Sequence, residues 1–329
     1  MDRIAFIIGE TYVYWQSIIL LCGAAVAAML FLALYIGKSG KVLTAFLTVP
    51  AAMVTSLALA RICHWYCQAT AYESFSAAMT DWSAGSFALM GVFAGCLLIA
   101  CLLRLVRLTK NLPQMLDCMV LAGAAGIAVG RLAFLYSPAD RGMILENIQS
   151  LPLTYPVVNV VTGAVEYRLA TFMLQSVAAG CIFLVLLVVW LVGLRTKKLP
   201  DGDVTLRFMV VYGATQALLD STRYDSLFLR SNGFVSAVQI IGLLAIVLAI
   251  VLFSVRMVKN RGFKGWFVAL WVAELATLGG AGYMEYYVQR HGDQALTAYS
   301  IMGACLAGTI LVTALIRRLG LPHFIKADS

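Results

Sequence analysis

The sequence predicts an all-α, polytopic integral membrane protein with about nine transmembrane helices. Of its 329 residues, 62% are apolar and only 12% are charged, and the mean hydropathy is +0.89. Soluble domains carry about a quarter charged residues and under half apolar ones, so the composition excludes a soluble globule, a disordered chain and a secreted disulfide scaffold. Each span needs about 20 mostly apolar residues, so nine spans would use roughly 180 positions and leave room mainly for short loops.

Windows of about 19 residues locate the individual spans. In chain order the spans are predicted at Gln16–Ile36, Val42–Ile62, Ala84–Leu103, Met115–Phe134, Leu169–Leu194, Val204–Leu219, Phe234–Val255, Trp266–Tyr283 and Ala298–Ile316. Pro50 lies inside the second span, where neighbouring helices can satisfy the carbonyl that it frees. The sixth span is the weakest, because it is short and polar at both ends.

Basic residues alternate between the loops and predict the orientation. Five segments on one side hold 16 of the 24 lysines and arginines: Lys38, Lys41, Arg104, Arg107, Lys110, Arg195, Lys197, Lys198, Arg207, Arg256, Lys259, Arg261, Lys264, Arg317, Arg318 and Lys326. Because basic residues accumulate in cytoplasmic loops, we expect the N-terminus outside and the C-terminus inside. No basic region precedes a short apolar run at the start of the chain, so we expect no cleavable signal peptide.

The eight basic residues on the other side are all arginines, whereas all eight lysines are predicted to be cytoplasmic. These arginines are Arg3, Arg61, Arg131, Arg141, Arg168, Arg223, Arg230 and Arg290. An arginine binds phosphate through a planar fork that lysine lacks, so an outer face with arginine alone indicates anionic headgroups. The alternative is ordinary salt bridging to the acidic residues Asp81, Glu146, Glu166 and Asp225.

Three of these arginines, Arg61, Arg131 and Arg223, are predicted at the outer ends of spans. Charges at such depth are costly and generally face the bundle interior, a wet cavity or a partner. Asp220 precedes Arg223 by three residues, so on a helix both would share one face and the carboxylate would orient the guanidinium. Ion pairs that only hold two helices together are the alternative.

Other polar features of the sequence indicate a function less strongly than the outer arginines do. Cys63 and Cys67 flank His64, but the chain has only three histidines and its eight cysteines lie mostly in apolar stretches, so we expect no metal site and no cofactor. Glu274 lies in the middle of the eighth predicted span and is a functional candidate by position; a protonated acid bonded to a neighbouring helix is the alternative. The net charge of +8 comes from short clusters between spans, so we expect no nucleic-acid partner.

In the order of these features the chain resembles the prolipoprotein diacylglyceryl transferase family over roughly residues 10–256. The family signature is Gly-Arg-x-Gly-Asn-Phe-x-x-x-Glu-x-x-Gly, and Gly130, Arg131 and Gly142 match it at the right spacing. Its late motif, Glu-x-x-Arg followed by an acid, is similar to Asp220, Arg223 and Asp225. Further similarities are found at Arg61 in the second span, Gly85, Gly91 and Gly95 in the third, Thr171 to Ser176 in the fifth and Gln239 in the seventh.

The chain departs from the family at several polar positions. Phe134 stands where the signature has asparagine, Ala139 where it has glutamate (with Asp140 adjacent), Met90 for the third-span histidine, Gln216 for the sixth-span arginine, Gln175 for the fifth-span glutamate and Gln16 for the N-terminal tyrosine. The last two predicted spans have no counterpart in the seven-span family. We therefore predict a transferase-like domain over residues 1–256, with an outer loop region at about 137–167, and a two-helix extension with a short cytoplasmic tail over 257–329.

The resemblance implies a multi-pass enzyme of the bacterial cytoplasmic (inner) membrane that moves the diacylglyceryl group of phosphatidylglycerol to a lipobox cysteine at the outer face. It implies catalytic roles for Arg131, Arg223 and Asp220, and substrate-binding roles for Arg61, Gly130, Gly142, Asp140 and Gln239. The implied partners are phosphatidylglycerol or another anionic phospholipid and the prolipoprotein signal peptide. Asp140, Glu146, Glu166 and the ligand itself are the alternatives for the base.

Two other functions remain alternatives. The first is a catalytically inactive or repurposed relative that binds anionic lipid or a lipoprotein. The second is a small-solute transporter, for which paired half-helices or repeats are expected; the sequence does not show them.

Overall fold

The computed structural model describes residues 3–9, 11–39, 41–80, 87–137, 139–145, 153–159, 161–229, 232–291 and 294–321. These residues are mostly helical. The helices are α1 (Trp15–Ser39), α2 (Val42–Cys67), α3 (Phe75–Thr80), α4 (Leu89–Leu105), α5 (Leu112–Gly130), α6 (Thr171–Thr196), α7 (Asp203–Ser221), α8 (Ala237–Arg261), α9 (Phe267–His291) and α10 (Ala295–Leu319). Short 3-10 helices lie at Ala69–Ala71 and Arg131–Tyr136.

Seven helices of the described residues are long and apolar enough to cross a membrane: α1, α2, α5 with its 3-10 continuation, α6, α8, α9 and α10. A multi-pass membrane protein is therefore confirmed. The prediction of nine spans is not, because α4 has 17 residues and α7 carries Asp203, Arg207 and Asp220 within its 19 residues. The predicted start of the third span at Ala84 lies outside the described residues.

The chain also forms three antiparallel hairpins, so the all-α prediction was incomplete. The strands are β1 (Ile4–Ile8) with β2 (Thr11–Tyr14), β3 (Thr154–Val158) with β4 (Val165–Leu169), and β5 (Phe228–Leu229) with β6 (Asn232–Ser236). Strands this short give little periodic signal beside long apolar runs. The β3–β4 hairpin lies within the stretch that was expected to be an outer loop.

The described residues form two compact units. One comprises those up to residue 208 together with 222–238, and the other comprises 209–221 together with those from 239 onward. In the first unit, glycines let helix backbones touch. A Cβ added at Gly91 would lie 2.3 Å from the carbonyl oxygen of Leu59, and one at Gly95 would lie 2.5 Å from Cα of Ser56. Helix α4 therefore packs on α2 through a surface of small residues.

Polar contacts fix the start of α5 and α7 in the same unit. Asn111 caps α5 by accepting a hydrogen bond from the Gln114 backbone N–H at 3.2 Å, which satisfies one of the free donors of the first turn. Asp117 of α5 accepts from the backbone N–H groups of Gly202 and Thr205 at 2.7 and 2.8 Å. These bonds hold the first turn of α7 against α5.

In the second unit, hydroxyl and carboxyl groups join α9 to α10. Thr313 donates to Glu274 at 2.8 Å, and Thr309 donates to Thr277 at 2.9 Å. A Cβ at Gly280 would lie 2.9 Å from Sγ of Cys305. Interhelical bonds and small residues of this kind are the usual cause of helix association in lipid.

Candidate active site

The candidate site begins where α5 gives way to the 3-10 helix Arg131–Tyr136. Helix α1 passes this point at backbone contact, since a Cβ on Gly23 would lie 2.8 Å from the carbonyl oxygen of Gly126 and 3.0 Å from the amide nitrogen of Gly130. A Cβ on Gly130 itself would meet only the Leu20 side chain, at 3.8 Å. The close helix crossing thus fixes the backbone from which Arg131 projects.

Arg131 and Arg223 meet on the carboxylate of Asp140. Nη1 of Arg131 contacts Oδ2 of Asp140, and Nη2 of Arg223 contacts Oδ1. The side chains of the two arginines are 11% and 10% exposed and that of Asp140 is 5% exposed, so the bridge is largely shielded from solvent. Charge-assisted bonds of this type are the strong ones in proteins.

The backbone of Asp140 is itself in an uncommon conformation. Its φ is +58°, a left-handed value that Asp and Asn tolerate better than other residues that have a Cβ. The Asp140 N–H donates to Oδ2 of Asp225 at 2.8 Å, while Oδ1 of Asp225 accepts from Nε of Arg223 at 3.1 Å. Asp225 therefore ties the backbone of Asp140 to the side chain of Arg223.

Close packing explains why position 142 is a glycine, which the sequence pattern alone does not reveal. A Cβ there would lie 2.6 Å from Oγ1 of Thr171, 2.9 Å from Cβ of Leu169 and 2.9 Å from the carbonyl oxygen of Thr222. Its N–H donates to the Leu169 carbonyl at 2.8 Å, and it forms an antiparallel bridge with Arg223. Only glycine fits between the start of α6 and the segment that carries Arg223.

Arg141 is completely buried and lies between two aromatic rings. Its guanidinium carbon is 4.2 Å from the ring centre of Tyr155 and 4.3 Å from that of Phe172. Nη2 donates to the carbonyl oxygens of Phe134 and Ser137 at 2.7 and 2.6 Å, while Nε and Nη1 have no hydrogen-bond partner among the described residues. Burial lowers the pKa of Arg141 to about 10, so its charge is kept at neutral pH.

Arg168 and Glu166 of strand β4 form a neighbouring ion pair. Nε and Nη2 of Arg168 donate to Oε2 of Glu166 at 2.9 and 2.6 Å, and Asn159 donates to Oε1 at 2.5 Å. The hydrogen bond from Asn159, followed by that from Arg168, lowers the pKa of Glu166 below its usual range. The Arg168 guanidinium also lies 4.6 Å from the ring centre of Tyr224, whose N–H donates to the Arg141 carbonyl.

Together these side chains carry one more cation than anion. The cations are Arg131, Arg141, Arg168 and Arg223, and the anions are Asp140, Glu166 and Asp225. Preorganised guanidinium groups in a partly dry site are suited to stabilise negative charge that develops on a phosphate.

Comparison with known proteins now identifies the family. A sequence model of prolipoprotein diacylglyceryl transferase matches residues 3–255. The chain belongs to this family. The match includes every residue of the arginine and carboxylate cluster, and it ends before α9 and α10.

Curated relatives agree with the family assignment. A phosphatidylglycerol–prolipoprotein diacylglyceryl transferase from Lactococcus lactis subsp. cremoris is 26% identical over 79% of this chain and 97% of the relative. Proteins of the same name from Finegoldia magna and Clostridioides difficile are 24% and 23% identical over 79% of this chain and 97% and 98% of their own lengths.

The end of helix α7 differs from the expectation for Asp220 and Arg223. Helix α7 ends at Ser221, so Arg223 lies beyond it and the expectation of one helical face for Asp220 and Arg223 is wrong. Asp220 is 1% exposed in the last turn of α7. Gln239, at the start of α8, donates to the Ala217 carbonyl at 3.3 Å.

Arg61, the second-span arginine of the family resemblance, is 2% exposed. Its Nε donates to the Ala78 carbonyl at 2.5 Å, and its guanidinium lies 5.2 Å from the ring centre of Tyr72 and 5.6 Å from that of Phe87. The Tyr72 hydroxyl is 3.0 Å from Nδ1 of His64. Backbone and aromatic contacts thus surround this guanidinium.

Sequence reasoning missed the part that Arg141 plays in the site. The residue was one of eight outer arginines, and only its position next to Asp140 and Gly142 set it apart. Phe134, at the asparagine position of the family signature, lies under Arg131 with 5.7 Å between guanidinium and ring centre. An aromatic contact therefore occupies a position at which the family has a polar side chain.

Proposed function

We propose that the chain is a phosphatidylglycerol–prolipoprotein diacylglyceryl transferase, working at the outer face of the bacterial cytoplasmic membrane with nine spans, the N-terminus outside and the C-terminus inside. The convergence of Arg131 and Arg223 on Asp140 supports this function best. Two guanidinium groups that converge on one carboxylate are arranged to bind a phosphate diester.

The reaction joins a thiol to a glycerol carbon. The lipobox cysteine sulfur attacks the glycerol carbon that bears the phosphate, a C–S bond forms, and the C–O bond breaks with its electron pair moving to the phosphate oxygen. Glycerol phosphate leaves, and the thiol proton goes to a base. Arg131 and Arg223 stabilise the charge that grows on the departing phosphate.

Asp140 is the base that this arrangement favours. When a headgroup phosphate binds to the two guanidinium groups, it replaces Asp140 as their anion and releases a carboxylate beside the reacting centre. That carboxylate can take the thiol proton, which makes the thiolate nucleophile. Glu166 is less suited, because Asn159 and Arg168 donate to both of its carboxylate oxygens, and Glu146 lies outside the described residues.

Roles for the remaining positions are part of the same proposal. Gly130 and Gly142 hold the backbone on either side of Asp140, Arg61 and Gln239 contribute to substrate binding, and Asp220 contributes to catalysis. The partners are phosphatidylglycerol or another anionic phospholipid and the signal peptide of a prolipoprotein.

An inactive relative that binds anionic lipid or a lipoprotein is the second candidate. The replacement of polar family residues by Met90, Phe134 and Ala139 favours it. Both candidates share the arginine site and differ only in whether group transfer occurs.

Complementation separates the two candidates. The chain is expressed in cells depleted of their own transferase, and a lipoprotein is analysed by mass spectrometry. We expect growth and a lipoprotein that carries the diacylglyceryl mass. Membrane-inserted protein with unmodified lipoprotein would instead establish the inactive relative. A reporter fused after Ser329 tests the topology; activity of that reporter only outside the cell would contradict it.

A further inference from the structure

Helices α8 and α9 line a groove of about 680 Å³ that the proposed function does not use. Along α8 it extends from Val247 to Lys259, which corresponds to about 18 Å at the rise of an α-helix. Its walls are mainly apolar and include Val251 and Leu278. A volume of this size lies within the range of ligand pockets, about 300–1,000 Å³.

Glu274 places an unpaired polar atom in this apolar wall. The residue lines the groove and is 3% exposed. Its Oε1 accepts a hydrogen bond from Thr313 at 2.8 Å, whereas its Oε2 has no hydrogen-bond partner among the described residues. An unsatisfied carboxyl oxygen in apolar surroundings is unfavourable, and the residue that carries it lines the groove.

One end of the groove is basic. Lys259 lines that end, and it has no ion pair within the part of the chain that the structure describes. Arg261 and Lys264 follow it in the sequence. Between this end and Glu274, Trp271 donates from Nε1 to Oγ of Ser254 at 3.0 Å and joins the two helices.

We propose that this groove binds one anionic phospholipid of the leaflet next to Lys259. The lipid phosphate lies on the ammonium group of Lys259, and one acyl chain follows the apolar wall towards Val247. In its acid form Glu274 donates from Oε2 to an ester carbonyl of the lipid. In the orientation proposed above this leaflet is the cytoplasmic one, so the site is distinct from the arginine cluster.

The charge of the groove favours an anionic lipid over an apolar transmembrane helix, because Lys259 lines one end of an otherwise mainly apolar wall. Helix α9 lies beyond the residues that match the family. The α9 wall of the groove therefore lies outside the family match, whereas most of its α8 wall lies inside it. Lipid binding in the groove does not depend on whether transfer occurs.

Quenching of Trp271 by brominated lipid tests the site directly. The full chain is reconstituted in neutral phosphatidylcholine vesicles that contain either brominated phosphatidylglycerol or brominated phosphatidylcholine, and the signal of a Trp271→Phe protein is subtracted. We expect half-maximal quenching at a several-fold lower fraction of brominated phosphatidylglycerol. Equal quenching by both lipids would overturn the proposal.

Variants assign the effect to the groove. Lys259→Gln, an exposed change, is expected to remove the preference for the anionic lipid, and Val251→Phe is expected to reduce quenching by filling the groove. Leu311→Phe, on a side chain of α10 that is 71% exposed, is the matched control and should leave quenching unchanged. If Lys259→Gln kept the preference for the anionic lipid, the lipid site would be contradicted. It would also be contradicted if a helix of a partner protein could be cross-linked in the groove and Val251→Phe displaced that helix.

Discussion

Arg131 and Arg223 lie far apart in the sequence and bind opposite oxygens of the same carboxylate, that of Asp140. The Asp140 backbone is in a left-handed conformation, and its N–H donates to the carboxylate of Asp225. The site is therefore built around one carboxylate between two guanidinium groups, which is the position proposed for the lipid phosphate.

Asp140→Asn should lower transfer by on the order of a hundredfold or more, since it removes the proposed base for the thiol proton. Asparagine also tolerates a positive φ, so the backbone should be kept. Combined with Arg223→Lys, the loss should be less than the sum of the single losses, as expected for residues in contact. The purified variants are compared in one transfer assay. Asp201→Asn, which alters an ion pair with Lys38 away from the site, is the control and should keep its activity. Strict additivity would contradict a shared site.

Arg223→Lys keeps the charge but loses the planar fork. We expect a loss of about tenfold or more in turnover or in phosphatidylglycerol binding, and a loss in the same direction for Asp220→Asn. Lipid binding and melting temperature are measured on the same preparations. Unchanged binding with a lowered melting temperature would make these residues structural only.

Gly142→Ala should destabilise the protein by about 1–3 kcal/mol, because the added Cβ overlaps Thr171, Leu169 and Thr222 in a packed region. Gly123→Ala is the matched control in α5, where an added Cβ meets nothing within 4 Å. Alanine there should raise stability slightly through helix propensity. Melting temperatures in detergent compare the two; equal shifts would refute the packing explanation of Gly142.

The Glu166 ion pair predicts a pH dependence at the acidic end. The pKa of Glu166 is lowered in the folded protein by the bonds from Asn159 and Arg168. Its stabilising contribution is therefore complete above the unfolded pKa of about 4.3 and is lost as the pH falls through the lower folded pKa. The melting temperature of Glu166→Gln should therefore fall less than that of the unchanged protein as the pH is lowered through the acidic range. If both proteins lost the same melting temperature on acidification, the stabilising role of the ion pair would be contradicted.

The helices could be predicted from the sequence because long apolar runs depend only on local composition. Each of the nine predicted spans overlaps a helix of the described residues. Helix α4 is too short to qualify as a span, and the charged residues of α7 lower its hydropathy. The hairpins could not be predicted, because strands such as Thr154–Val158 are held by pairing across the loop.

Parts of the candidate site could also be predicted from the sequence. Positions at the outer ends of predicted spans suggested Arg131 and Arg223, and the family resemblance suggested Gly142. The structure brings these three residues together. The bridge through Asp140 was not predicted in this form, because it depends on a left-handed turn and on tertiary contacts. The same applies to Arg141, whose environment is made by Tyr155 and Phe172 from two other elements.

The most direct test of the phosphate site is release of glycerol phosphate from phosphatidylglycerol by the purified chain in vesicles with a lipobox peptide. We predict release by the unchanged protein, a loss on the order of a hundredfold or more in Arg131→Gln and Arg223→Gln, and full activity in Arg290→Gln, an exposed arginine outside the family match. Equal release by all four folded proteins would contradict the role of Arg131 and Arg223.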